Sequence, residues 1–282
     1  MMRVGFSWVA RGACRHPEWM TFRGGSLCPV DFPAMVGIIR HPHVGVLLFD
    51  TGYDTAFLEA TRRWPERLYR LATPVDLDGE DEWGTWLSTQ GLAASDIAGV
   101  IISHFHGDHV AGLGRIADVP VYCARAGLER VRSGGRFRRV TQGLLSDLAP
   151  PSVERRARYF EDAAAVPLPP AFDPFETGRD LLGDGSLIAV ELPGHCHGHW
   201  GLALRTETDR DVLLAADATW SERAIRSCTP PPRLTTALLG ETHKYRETLS
   251  RLHQATVRNP SLAILPSHCA VAANAFRQTD GL

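Results

Sequence analysis

No apolar run in the 282 residues approaches the roughly 20 residues that a membrane-spanning helix requires. The chain is therefore expected to be soluble, with no membrane partner. The six cysteines, Cys14, Cys28, Cys123, Cys196, Cys228 and Cys269, form no C-x-x-C pair. That spacing excludes the usual zinc-ribbon and dithiol motifs and reads as scattered reduced thiols of a cytoplasmic protein. Charge of one sign is also missing, since 30 Lys and Arg stand against 32 Asp and Glu, a formal net charge of -2. Binding to a polyanion needs a concentrated basic surface, so no nucleic acid partner is expected. The longest basic cluster, Arg130, Arg132, Arg136, Arg138 and Arg139, is broken by Ser133, Gly134 and Gly135. It reads as a solvated loop, with an anion-binding flap as the sharper alternative. A secretory leader is not expected either, because Arg11 interrupts the apolar stretch 4–10 before any A-x-A pattern. No internal repeat is visible.

With 44% hydrophobic residues, the chain has material for a large core, and one domain over residues 1–282 is expected. The runs 35–40 and 44–49, separated by Pro42 and His43, predict an early hairpin. Residues 55–71 mix a helical period with a break at Pro65 and predict two helical pieces, and 81–90 predicts a short helix before Gly91. Further strands are expected at 100–103, 119–123, 187–192, 211–216 and 262–266, with a helix at 236–258 before the last. Alternating strands and helices favour a layered α/β domain. Residues 149–182 carry Pro150, Pro151, Pro167, Pro169, Pro170 and Pro174 and are expected to be an insertion, a loop or cap near the site.

The chemistry is concentrated where apolar runs end. Ile101-Ile102-Ser103 leads into His104-Phe105-His106-Gly107-Asp108-His109, an H-x-H-x-D-H pattern whose imidazole and carboxylate donors suit zinc, iron, cobalt or manganese. Three His and one Asp within six positions are hard to explain by packing. A second strand ends in Gly194-His195-Cys196-His197-Gly198-His199, a third in Asp217, and a fourth in His268. Alone, the second cluster would be a weak signal and Asp217 would pass for a helix cap or turn residue. Together they gain weight, because residues at the carboxyl ends of neighbouring strands converge on one edge of a layered α/β fold. Seven donors exceed what one tetrahedral ion takes, and they suit two ions about 3.5–4 Å apart.

In their order these motifs resemble the metallo-β-lactamase superfamily, and the 22 residues from His195 to Asp217 are similar to its spacing. The resemblance runs from residues 35–40 and Phe49-Asp50-Thr51-Gly52 to His268. It implies an α/β, four-layer αβ/βα sandwich with the metal site at one edge of two packed sheets. It also implies that His104, His106 and His195 hold one divalent ion, that Asp108, His109 and His268 hold the other, and that Asp217 bridges them. Zinc is the first expectation, with iron, manganese or cobalt as alternatives. Within the superfamily the chain looks most similar to the N-acyl-homoserine lactonase-like branch. Those lactonases usually carry a substrate-contacting Tyr three residues after the bridging Asp, whereas this chain has Trp220, whose indole donates one hydrogen bond and cannot act as a phenol.

The resemblance implies a dinuclear hydrolase that opens a lactone or a related carboxylic ester of a small-molecule substrate with a metal-bridging hydroxide, while Asp108 carries the proton. A phosphodiesterase or thioesterase of the same superfamily and a catalytically idle metal-binding protein are the alternatives. True β-lactamases of this fold usually place a Cys where this chain has Asp217. His199 and Asp50 are expected to orient ligands. Cys196 and Cys269 are expected to be packing residues. Trp8, Met20 and Phe22 are candidate walls of an apolar pocket, and the other tryptophans read as core or as the interface of a homodimer.

Overall fold

The computed structural model describes residues 1–77, 82–116 and 118–280. Its strands fall into two sheets. The first contains β1 (Arg3–Pro17), β2 (Pro29–His41), β3 (Gly45–Phe49), β4 (Val75–Asp76), β5 (Ile97–Ile101), β6 (Val121–Cys123) and β7 (Ala157–Tyr159). The second contains β8 (Ala164–Pro167), β9 (Thr177–Asp180), β10 (Ile188–Glu191), β11 (Trp200–Thr206), β12 (Asp211–Ala216) and β13 (Ala263–Pro266). The first runs β4-β1-β2-β3-β5-β6-β7 and the second β8-β9-β10-β11-β12-β13. A short parallel pairing of Arg3 and Val4 with Arg205 and Thr206 joins β1 to β11.

Strand alternation explains how these sheets stack. Successive side chains point to opposite faces, so β2 sends Met35 and Ile39 to one side and Ala34, Val36 and Ile38 to the other. Likewise Leu47 and Phe49 face inward from β3 and Leu48 faces outward. In the second sheet Val212 and Leu214 meet the inward residues of the first, while Leu213 and Ala215 turn away. One buried layer therefore lies between the sheets. Each outer face is covered in turn: the helix Trp83–Thr89 adds Trp83, Trp86 and Leu87 on one side, and the helix Thr242–Arg258 adds Leu252 and Ala255 on the other. Each fully buried Val, Leu, Ile or Phe side chain contributes about 1.5–3 kcal/mol. Two sheets that are each apolar on both faces can only be satisfied by this four-layer αβ/βα arrangement.

The expected hairpin is β2 and β3, antiparallel with Ile38 opposite Leu48. The helical pieces around Pro65 are Thr55–Ala60 and Arg67–Ala72, and the next helix is Trp83–Thr89. Asp81, the start expected for that last helix, lies outside the described residues. The stretch 4–10 belongs to β1, the longest strand described, bent by a register shift between Ala10 and Ala13 in its pairing with β2. The helix expected over 236–258 is two helices, Arg233–Leu239 and Thr242–Arg258, parted at Gly240. A side chain at Gly240 would collide with the backbone of Gly194 and His195.

Residues 149–182 were expected to be a loop or cap. They form a helix, Pro151–Arg156, and the strands β7, β8 and β9. β7 extends the first sheet beside β6, and β8 and β9 form the outer edge of the second. The prolines fit these places, since Pro151 opens the helix and Pro167 ends an edge strand.

Candidate metal centre

Five strand ends deliver the polar residues to one edge of the stacked sheets. Asp50 follows β3, His104 to His109 follow β5, His195 follows β10, Asp217 follows β12 and His268 follows β13. Backbone bonds brace this edge across the two sheets: Trp200 N–H donates to Ser103 O at 3.0 Å, and Met35 N–H to Ser267 O at 3.1 Å. A short helix, Gly107–Val110, turns Asp108 and His109 back toward His104.

The seven expected donors are all buried and lie together. His104, His106 and His195, joined by the thiol of Cys196, form one group whose donor atoms lie within 4.8 Å of one another. Asp108, His109, Asp217 and His268 form a second such group. Asp217 stands between them, with Oδ2 3.3 Å from His195 Nε2, 3.8 Å from His104 Nε2 and 3.2 Å from His268 Nε2. Its Oδ1 lies 3.4 Å from His109 Nε2. Asp108 Oδ2 lies 3.2 Å from both His109 Nε2 and His268 Nε2. Cys196 was expected to be a packing residue, and its sulfur instead sits beside the first group.

These donors fit divalent cations on chemical grounds. His104 Nε2, His106 Nε2, His109 Nε2 and Asp217 Oδ1 are buried without a hydrogen-bond partner, and an unsatisfied buried polar atom costs about 1–3 kcal/mol. His195 Nε2 and His106 Nδ1 point at each other across 3.0 Å, a distance that two lone pairs tolerate only with a proton or a cation between them. Burial holds His104 and His195 well below the usual imidazole pKa, and His106 at about 4. These rings are therefore neutral, the form that binds metal. Burial would raise Asp108 and Asp217, but His109 and His268 outweigh it and keep both carboxylates ionised. The same carboxylates overcome burial at His109, whose pKa stands well above the ordinary value, and at His268, pushed up to about 10. Two buried carboxylates thus draw positive charge, carried without metal by the protonated His109 and His268; a divalent ion bound there would take its place as those rings release their protons.

The surrounding residues fix the rings. Asp50 is fully buried at φ 60, a left-handed backbone conformation that Asp tolerates better than most residues. It accepts from Ser103 N–H and Ser103 Oγ, each at 2.8 Å, and from His109 Nδ1 at 2.8 Å. That contact turns His109 Nε2 toward Asp108 and Asp217. His199 donates from Nδ1 to Leu192 O and accepts at Nε2 from Asp217 N–H, so both its nitrogens are occupied and it orients the Asp217 backbone. His268 Nδ1 donates to Pro33 O at 2.8 Å. Asp50→Asn should weaken metal affinity about 10- to 100-fold while leaving the chain folded, since outer partners of ligating His typically count for that much. Competition with a chelator measures it, and unchanged affinity would remove Asp50 from the account.

Gly194 sets the His195 turn. Its φ is +124, and a Cβ there would strike the backbone of Tyr245. Gly194→Ala should lower stability by about 3 kcal/mol or more, combining backbone strain with a clash that no side-chain rotation relieves. Denaturant unfolding tests this, and a loss under about 1 kcal/mol would show that the turn is softer than its geometry implies.

A cavity of about 430 Å³ opens onto the cluster, with His106, Asp108, His195 and Asp217 in its wall. The rest of the wall is mainly apolar and includes Trp19, Met20, Leu68, Val140, Leu234 and Leu239. Of the walls expected from sequence only Met20 is there. Trp8 is packed between the sheets, and Phe22 lies under the Arg223 guanidinium. Trp220 lines the cavity and its ring centroid lies 4.3 Å from that of His268, the two planes tilted by 44°. Sequence reasoning missed Tyr53, Tyr69 and Tyr245, which also line it. Tyr69 Oη accepts from Gly107 N–H at 3.4 Å. No local motif marks these tyrosines.

Known proteins resemble this chain in sequence and in fold. The profile of the Metallo-beta-lactamase superfamily matches residues 30–257. The N-acyl homoserine lactonase AiiB of Agrobacterium fabrum (strain C58 / ATCC 33970) is 26% identical over 262 residues, covering 89% of this chain and 85% of that protein. An N-acyl homoserine lactonase of Bacillus cereus is 28% identical over 190 residues, covering 66% and 64%. An N-acyl homoserine lactone hydrolase solved with N-hexanoyl-L-homoserine at its catalytic metal centre superposes with a TM-score of 0.72 at 17% identity, over 100% of this chain and 97% of that one. The dizinc quorum-quenching lactonase AidC, solved with the same product, gives 0.62 at 12% identity over 95% and 92%.

Proposed function

The chain belongs to the metallo-beta-lactamase superfamily, and from that premise we propose that it is a dinuclear metal-dependent hydrolase that opens a lactone or cleaves a related carboxylic ester. The carrying observation is the cavity: it ends on donors of both groups, its wall is mainly apolar, and among the described residues no Lys or Arg lines it. A phosphodiester would bring a negative charge into that wall with no side-chain cation to meet it. A neutral acyl compound with an apolar arm suits it better, and the lactonases among the relatives support that substrate class.

In this reading His104, His106 and His195 hold one ion, Asp108, His109 and His268 the other, and Asp217 reaches both. Bound there, divalent ions, zinc first, would supply a water-derived nucleophile near neutral pH and a Lewis acid for the acyl oxygen. The chain's own residues do the rest. Asp108, in the cavity wall, takes the proton of the attacking water at its carboxylate and passes it to the leaving alcohol oxygen as the acyl C–O bond breaks. The phenol of Tyr69, kept neutral because burial holds its pKa well above 10.0, donates a hydrogen bond within the cavity. Apolar walls exclude bulk water and strengthen these contacts.

Elemental analysis paired with a hydrolysis panel tests the proposal. About two ions per chain, with acyl-homoserine lactones and aryl esters turned over faster than a thioester or a phosphodiester, is the expected result. A metal-free protein or one that hydrolyses none of the four would sink it and favour an idle binder, and preference for the phosphodiester would reassign the substrate.

A further inference from the structure

The face around the cavity mouth carries features that hydrolysis does not use. Three short helices, Arg67–Ala72, Arg136–Thr141 and Arg233–Leu239, each contribute lining residues to the cavity and so surround its opening. The first two are tied together where Arg136 donates to both Glu66 oxygens, at 3.0 and 2.7 Å, and to Trp64 O at 2.9 Å. Five of the ten large apolar side chains exposed among the described residues lie on or beside these helices: Trp64 at 59%, Leu71 at 60%, Phe137 at 62%, Leu234 at 74% and Leu238 at 57%. Single exposed apolar residues are ordinary, but their concentration around one opening marks an interaction surface.

Charge tells what covers this face. Arg62, Arg63, Arg67, Arg138 and Arg233 are exposed and enter no salt bridge among the described residues. Among the described residues the acidic side chains on or beside these helices are few: Glu59, Asp76 and Asp147 are exposed, Glu66 is already held by Arg136, and the exposed Glu241 is held by Lys244. In a chain with a formal net charge of -2, this is a local excess of cations mixed with aromatic and leucine side chains. A second copy of the chain would fit poorly, because a two-fold interface would set these arginines against themselves. An anionic lipid surface meets both features at once, with the apolar side chains entering the headgroup boundary and the guanidinium groups pairing with phosphates.

We propose that the mouth of the cavity docks on an anionic phospholipid membrane, so that an amphiphilic substrate passes from lipid into the cavity without crossing water. The protein lies on such a surface rather than spanning it, in keeping with the absence of any described helix long and apolar enough to cross. The docking does not depend on which bond the centre hydrolyses.

Flotation of the purified protein with vesicles tests it. Vesicles of phosphatidylcholine with phosphatidylglycerol should carry the protein about tenfold better than phosphatidylcholine alone, and raised salt should release it. Leu71→Asp combined with Phe137→Asp, and separately Arg63→Glu combined with Arg138→Glu, should each reduce binding about tenfold. Neither pair lines the cavity, and circular dichroism checks the fold. The arginine variants, wholly on the surface, decide the matter should the apolar pair misfold. No flotation with either vesicle, or binding that the arginine variants leave intact, would overturn the proposal. A dimer that the Leu71 and Phe137 variant separates, without vesicle binding, would also overturn it and assign the face to a second copy.

Discussion

Asp217→Ala is expected to bring metal content from about two ions per chain to below one and to lower kcat/KM about a thousandfold, about 4 kcal/mol of transition-state stabilisation. Its two oxygens face His104, His195 and His268 on one side and His109 on the other, all within 3.8 Å. No other carboxylate reaches both groups among the described residues, because Asp108 faces only His109 and His268. Removing it leaves three neutral imidazoles and the un-ionised Cys196 thiol in the first group and a single carboxylate in the second. Elemental analysis after dialysis and steady-state kinetics with the best lactone or ester measure the two effects. Full metal content with activity within about tenfold of the parent would show that Asp217 is not the shared ligand.

The donors were readable in the sequence because all seven follow the ends of just four apolar strands, so local pattern and chemistry coincide. His104 to His109 after β5, His195 after β10, Asp217 after β12 and His268 after β13 meet at one edge simply because neighbouring strands end together. Superfamily membership and the layered fold follow from the same motifs. The cavity wall was not readable. His16, Trp19, Tyr69, Leu234 and Tyr245 come from separate segments, and all that a wall asks of each is an apolar or aromatic side chain, which many amphipathic elements also supply. Trp8 shows the converse: strand alternation groups it with Val4 and Phe6 between the sheets, although as a large aromatic near the N-terminus it was a candidate pocket wall.

Two features escaped for reasons of tertiary context. A helical period runs through 236–258, yet the chain breaks at Gly240, where Glu241 N–H donates to Gly194 O at 2.9 Å. The break matters to the site, since it seats the segment against the turn that carries His195. In 149–182 the prolines pointed to a loop, and short strands formed because two lie at sheet edges, where an unpaired backbone position accepts proline. Local propensity was overruled by a partner strand in both sheets.

Asp108→Asn separates chemistry from binding and is expected to lower kcat about a thousandfold, within the usual range for losing a general acid–base group, while most of the metal is retained. The amide keeps an oxygen where the carboxylate had one and nearly the same volume, so the contacts with His109 and His268 at 3.2 Å lose charge but not a donor atom. What disappears is the capacity to take a proton from water and return it to the leaving alcohol, because a neutral amide does neither near neutral pH. Substrates with a better leaving group need less of that second transfer, so aryl esters should suffer less than lactones. Rate constants for both classes, set beside metal content, make the comparison. Equal losses for both, with the second ion gone, would make Asp108 a ligand only and return the proton transfers to solvent.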